Sequence, residues 1–147
     1  MLKHTLTALL LLLLTACSSQ TNTSDSNNKI NLAHLDGKWL IVNYWATWCK
    51  PCLKEMPALN NVHKKHKNKL VVLGVSFDKL PTKDLNDIKK TLSIQYPLLT
   101  TFPAQKYKLP RITVLPITFI INPDGKLVKT LKGPHTEAQF LKALQYP

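Results

Sequence analysis

Three apolar runs along the chain, at positions 40–45, 70–77 and 116–121, predict the strands of a buried sheet. Continuous apolar runs of this length are typical of strands covered on both faces. Between the first two runs, apolar residues recur every three positions from Leu53 to Val62 and predict a helix. Strands that alternate with helical segments predict an α/β domain with a central mixed sheet flanked by helices.

The rest of the chain predicts shorter elements, namely a helix at 81–92, a strand at 96–101, a helix at 104–109, a hairpin strand at 127–131 and a last helix at 136–144. The sequence Asn-Pro-Asp-Gly at 122–125 predicts the hairpin turn, in which Gly125 has a positive φ. Thr136 and Gln139 have the spacing of a capping box, which places the start of the last helix.

The first 28 residues have the composition of a targeting segment rather than of a core. Lys3 gives a positive start and 6–14 is a short apolar run, as in a secretory signal peptide. Residues 14–17 (Leu-Thr-Ala-Cys) resemble the bacterial lipobox, which implies cleavage before Cys17 and a lipid on its sulfur. The predicted organisation is a signal peptide at 1–16, a lipidated flexible tether at 17–28 and one domain at 29–147. An ordinary signal peptide with a chance cysteine is the alternative.

The chain is basic, with 20 Lys and Arg against 8 Asp and Glu, and all but one of the cations are lysines. Binding to nucleic acid would favour arginines and an aromatic platform, and export argues against such a partner. We therefore expect a solvated basic face near anionic lipid.

If Cys17 is lipidated, Cys49 and Cys52 remain as a lone C-x-x-C pair. One closely spaced pair in an exported protein is not a disulfide scaffold, and a bridge over two residues adds little stability, so a redox role is favoured. A structural zinc site would need four ligands. His63 and His66 lie about three turns beyond Cys52 on the same predicted helix, too far away to join the cysteine pair. We therefore expect no metal and no cofactor, with a zinc half-site or inert core thiols as alternatives.

The order of strand, turn, Cys49-Lys50-Pro51-Cys52 and helix predicts that Cys49 lies at a helix N-terminus. The unpaired N–H groups and the macrodipole there favour a thiolate, so we expect the pKa of Cys49 to lie below that of a free cysteine. Cys49 would then attack a substrate disulfide, and Cys52 would resolve the mixed disulfide.

Residues 43–57 (NYWATWCKPCLKEMP) resemble the signature of the thioredoxin superfamily, closest to its exported TlpA/ResA-like branch. The resemblance implies a thioredoxin fold with a strand–helix insertion, for which 96–109 is the candidate. It implies that Trp48 contacts substrate at the rim of the site. It also implies a cis Leu115–Pro116 bond, with the Leu115 backbone pairing with the substrate. Glu55 is implied as a proton relay for Cys52, with a purely structural charge at the helix start as the alternative.

The same resemblance implies a membrane-anchored, extracytoplasmic thiol–disulfide oxidoreductase, on the periplasmic side if the host is Gram-negative. Its expected partners are exported proteins with disulfides, for example in cytochrome c maturation, and a membrane thiol–disulfide protein that donates electrons. Two alternatives stay open, an oxidant that donates disulfides and a copper carrier that uses the thiols as soft ligands. His135 is the one extra ligand we can name for the carrier.

Overall fold

Five strands form the central sheet of the computed structural model, in which residues 35–144 are described. In chain order the elements are β1 (Trp39–Trp45), α1 (Lys50–His66), β2 (Leu70–Ser76), α2 (Thr82–Thr91), β3 (Leu98–Leu99), β4 (Ile117–Ile121), β5 (Leu127–Lys132) and α3 (Glu137–Ala143). The strand order is β3-β2-β1-β4-β5. Strands β1, β2 and β3 are parallel, whereas β4 and β5 pair antiparallel, so the sheet is mixed as predicted. The predicted segments 1–16 and 17–28, with Cys17, lie outside the described residues.

Two apolar cores lie on opposite faces of the sheet, because alternate residues of β1 point to opposite sides. Ile41 and Trp45 pack with residues of all three helices in the first core. Leu40, Val42 and Tyr44 pack in the second core, which is covered by the segment 102–112. Strands β1, β2 and β4 are therefore buried on both faces, which explains their continuous apolar runs.

The predicted helix at 104–109 is wrong, because this segment forms consecutive turns. Lys106 N–H donates to the Pro103 carbonyl at 3.1 Å, and the backbone of Lys108 has a φ of 50°. Six residues are too few for a stable isolated helix, and the left-handed residue ends any helical run. Tyr107 instead stacks on Phe102, with ring centroids 5.2 Å apart, so tertiary packing sets this conformation.

The C-terminal elements agree with their predicted turn and cap. Gly125 has a φ of 75° in the turn between β4 and β5. Thr136 caps α3 in a full capping box with Gln139. The strand predicted at 96–101 is shorter in the structure, where β3 has two residues. Within residues 35–144, no helix is both long enough and apolar enough to cross a bilayer.

Candidate active site

Cys49 and Cys52 lie where β1 passes into α1. Cys49 is the N-cap of α1, and its Sγ accepts a hydrogen bond from the Cys52 backbone N–H at 3.3 Å. Pro51 lies in the first turn of the helix, where its missing N–H removes no hydrogen bond. The two sulfurs form a disulfide of 2.02 Å between Cα atoms 5.3 Å apart. Both cysteines are buried, but Cys49 is the more accessible, with 4% of its surface exposed against 1% for Cys52.

The pairing of the strands brings Leu115 and Pro116 to the same edge of the sheet. Strand β4 runs antiparallel to β1, so it begins at the edge where β1 ends. The Leu115–Pro116 bond is cis, and Pro116 is buried directly before β4. Leu115 is half-buried and packs against the core cluster that contains both cysteines.

Trp48 is the most exposed large hydrophobic side chain at this edge, with 63% of its surface exposed. Its indole Nε1 donates to Asp78 Oδ2 at 3.0 Å, which fixes the ring beside Cys49. The Phe77 N–H also donates to the Trp45 carbonyl at 2.8 Å, so the loop after β2 is joined to the loop after β1. The sequence analysis does not predict a role for Asp78, although its place two residues after the end of a parallel strand is a usable signal. Trp45 is fully buried in the core.

Glu55 lies inside the protein among hydrogen-bond donors, with 2% of its surface exposed. Asn43 Nδ2 donates to Oε1 at 2.6 Å, and the His135 backbone N–H donates to Oε2 at 3.0 Å. Asn43 also donates to Thr118 Oγ1 at 3.0 Å. Burial raises the pKa of Glu55 to about 7, although the two hydrogen bonds oppose that rise. A carboxyl of this kind exchanges its proton near neutral pH.

Tyr96 is a second buried polar residue behind the site. Burial raises the pKa of its hydroxyl, and the negative charge of Glu55 raises that pKa further. The hydroxyl has no hydrogen-bond partner among the described residues, and the same is true of Trp45 Nε1. Gly74 makes room for both rings, because a Cβ there would lie 3.0 Å from Tyr96 Cε2 and 3.3 Å from Trp45 Nε1.

The described residues do not assemble a set of three or more His, Cys, Asp and Glu side chains that could hold a metal ion. His135, the extra ligand considered for a copper carrier, comes near the site through its backbone. Its ring Nδ1 lies 2.7 Å from the Gly133 carbonyl oxygen. The arrangement supports thiol–disulfide chemistry, with a disulfide at a helix N-terminus and a buried carboxyl that titrates near neutral pH.

The chain is similar to known proteins in sequence and in structure. The AhpC/TSA family profile matches residues 15–130. The chain is 35% identical over 120 residues to thiol-disulfide oxidoreductase ResA of Bacillus subtilis (strain 168), covering 79% of this chain and 65% of that protein. It is 33% identical over 118 residues to ResA of Bacillus thuringiensis subsp. konkukian (strain 97-27), covering 80% and 68%. The chain thus spans about two thirds of the length of these relatives.

The fold also matches solved structures. The crystal structure of the pneumococcal exposed lipoprotein thioredoxin from Streptococcus pneumoniae strain TIGR4 aligns with a TM-score of 0.63 and 27% identity. That alignment covers 78% of this chain and 88% of the other. The thioredoxin fold predicted from the sequence is confirmed.

Proposed function

The chain belongs to the AhpC/TSA family, and we propose that it is a thiol–disulfide oxidoreductase with Cys49 and Cys52 as its redox pair. The observation that carries this proposal is the disulfide between them at the N-terminus of α1. Its relatives named thiol-disulfide oxidoreductase ResA support the same activity. The predicted resemblance to the ResA-like branch is therefore confirmed.

The reaction we propose is a reduction in two exchange steps. The Cys49 thiolate attacks one sulfur of a substrate disulfide, and the second substrate sulfur leaves as a thiolate and takes up a proton. The Cys52 thiolate then attacks Cys49 Sγ and displaces the first substrate sulfur. Two electrons have passed to the substrate, and the enzyme is left with the Cys49–Cys52 disulfide, the state present in the structure. A dithiol donor must reduce this bond before the next cycle.

Glu55 is our candidate for the group that takes the proton from Cys52. It lies three residues after Cys52 in α1, which is one helical turn. A base works best when its pKa is near the working pH, and burial raises the pKa of Glu55 to about 7. Asn43 and the His135 N–H hold the carboxylate in place by hydrogen bonds.

The substrate is expected to bind at the edge of the sheet beside Cys49. We propose that Trp48 contacts it there and that the backbone of Leu115, before the cis Pro116, pairs with its chain. Trp48 is exposed but fixed by Asp78, so it offers a rigid apolar surface.

We further propose that 1–16 is a cleaved signal peptide, that 17–28 is a tether lipidated at Cys17, and that 29–147 is the catalytic domain. The similar pneumococcal structure is described as an exposed lipoprotein thioredoxin, which supports this proposal. The protein would then act outside the cytoplasm on exported proteins with disulfides, cytochrome c precursors among them, and receive electrons from a membrane thiol–disulfide protein. A radiolabelled fatty acid should label the wild-type protein and not a Cys17→Ala variant, and equal labelling of the two would contradict the lipid anchor.

Trapping tests the activity and the roles of the two cysteines together. In a Cys52→Ser variant, the mixed disulfide on Cys49 cannot be resolved, so we expect it to accumulate with disulfide-bearing proteins and to be released by dithiothreitol. The matched Cys49→Ser variant should trap almost nothing. Equal trapping by both variants would contradict the assigned roles.

The reduction potential of the cysteine pair tests the direction of electron flow. Equilibration of the wild-type protein with glutathione gives the reduction potential of the pair. A potential near that of thioredoxin, about −270 mV, supports a reductase, whereas one near about −120 mV supports an oxidant.

A further inference from the structure

Three loops meet at the edge of the sheet where Cys49 lies, and their charges are almost all positive. We name residues 46–54, 76–80 and 110–116, which are these loops together with the first turn of α1 and the end of β2, the active-site face. They contain four cations, all exposed, namely Lys50, Lys54, Lys79 and Arg111. Their one acid is Asp78, whose carboxylate already accepts a hydrogen bond from the Trp48 indole.

The other acids of the described chain lie outside these loops, at Asp36, Glu55, Asp84, Asp87, Asp124 and Glu137. Asp36 lies 3.8 Å from Lys106, and Glu137 forms a 2.7 Å ion pair with Lys65. Glu55 is buried. The loops of the active-site face therefore contain no second acid to balance their four cations, and clefts lined by one sign of charge attract ligands of the opposite sign.

A groove of about 340 Å³ adjoins this face beside the end of β2, on the side of the sheet that carries Tyr44 and Phe102. Its walls include Tyr44, Phe77, Lys79, Thr100, Phe102 and Ile112. Phe77 is 44% exposed, and Val114 on the neighbouring loop is 41% exposed. Walls of apolar and hydroxyl side chains with an ammonium group among them suit a polypeptide segment that combines apolar and acidic side chains. Arg111 directly precedes Ile112, so a second cation adjoins the groove in sequence.

We propose that the preferred substrates are polypeptides whose disulfide is flanked by acidic side chains. Lys79 and Arg111 bind the carboxylates, and the groove takes an apolar side chain of the same segment. This assignment rests on the proposed function, because it specifies the substrate of the same redox pair. Charge complementarity decides the class of partner, since a basic segment would meet four like charges at this face.

Two matched peptides test the proposal. Each has the same single disulfide and the same apolar residues, with flanking glutamates in one peptide and flanking lysines in the other. With the reduced full-length protein at low ionic strength, we expect kcat/KM to be about tenfold higher for the acidic peptide. The ratio should fall toward one in about 1 M salt, where the screening length is about 3 Å.

Charge reversal locates the effect in the groove. Lys79→Glu and Arg111→Glu should each lower the acidic-to-basic ratio at least about threefold. Lys129→Glu makes the same charge change at an exposed position of β5, outside the active-site face, and should leave the ratio unchanged. A change in the reactivity of Cys49 itself affects both peptides alike, so the ratio isolates binding.

The possible failures are distinguishable. If the wild-type protein does not reduce uncharged hydroxyethyl disulfide, the proposed function fails. If it reduces that compound but treats the two peptides alike, the substrate assignment is overturned. If the peptide ratio survives both reversals while binding to phosphatidylglycerol vesicles is lost, the cations bind lipid and the assignment is again overturned.

Discussion

Replacing Glu55 by glutamine tests the chemistry of the buried carboxyl behind the disulfide. The folded protein surrounds this group with the Asn43 amide and the His135 N–H, and almost no solvent reaches it. Glutamine has the same size and stays neutral at all pH values. The amide nitrogen of glutamine cannot accept a hydrogen bond, whereas both oxygens of the carboxyl group can. The variant therefore loses one hydrogen bond at either pH, at a cost of about 1–3 kcal/mol.

The pH dependence follows from the raised pKa of Glu55. In the folded protein this pKa is about 7, whereas the ordinary value in the unfolded chain is 4.5. Between these values the folded state keeps a proton that the unfolded state has released, so the free energy of unfolding falls as pH rises. Each unit of pKa difference corresponds to about 1.36 kcal/mol. At pH values above the pKa of the folded state, the loss of stability therefore reaches its full value of about 3 kcal/mol. At pH values below the pKa of the unfolded chain, the loss vanishes.

Urea unfolding of the oxidised protein, followed by tryptophan fluorescence at about pH 4 and about pH 8, measures this effect. From about pH 4 to about pH 8, the free energy of unfolding of the wild-type protein should fall by about 3 kcal/mol more than that of Glu55→Gln. Other groups, such as His63, titrate in both proteins and cancel in the difference. Glu137→Gln is the control. The Lys65 hydrogen bond lowers the pKa of Glu137, so the stability of the wild-type protein relative to Glu137→Gln should rise, not fall, as pH rises. The reasoning is refuted if the difference between wild type and Glu55→Gln is the same at both pH values.

For three further substitutions, the structure determines whether the measured quantity should rise or fall. Asn43→Ala removes a donor that lowers the pKa of Glu55, so the midpoint of the pH dependence of unfolding should move up; an unchanged midpoint would contradict this. Gly74→Ala places a Cβ 2.6 Å from Leu98 Cδ2, so urea unfolding should show a loss of about 1–3 kcal/mol, and a neutral result would disprove the close packing. Thr136→Ala removes the capping box of α3 and should cost about 1 kcal/mol in the same assay, whereas Thr136→Ser should cost much less.

Local patterns were sufficient to predict the main elements of this fold. The apolar runs gave β1, β2 and β4 to within one residue at each end, because these strands are buried on both faces. The segment 104–109 was mispredicted because its conformation depends on Tyr107 stacking against Phe102, a tertiary contact that helical spacing does not report.

In the candidate site too, local features could be predicted from the sequence and tertiary contacts could not. The cysteine spacing after a strand predicted the place of Cys49 at the start of α1, since both features belong to one continuous segment. The His135 N–H that donates to Glu55 comes from a distant segment, and Asn43 reaches its other partner, Thr118, only through the pairing of β1 with β4. Asp78 reaches Trp48 through the pairing of β1 with β2. Contacts of this kind follow from strand order, which no local motif of the sequence encodes.

The central claim is that the start of α1 makes Cys49 the reactive thiol. The direct test is the rate of alkylation of Cys49 in the reduced Cys52→Ser variant as a function of pH, with thiolate absorbance as a second readout. The account predicts that Cys49 is largely a thiolate at neutral pH and reacts faster than a free cysteine does. A titration curve that coincides with that of free cysteine would contradict it.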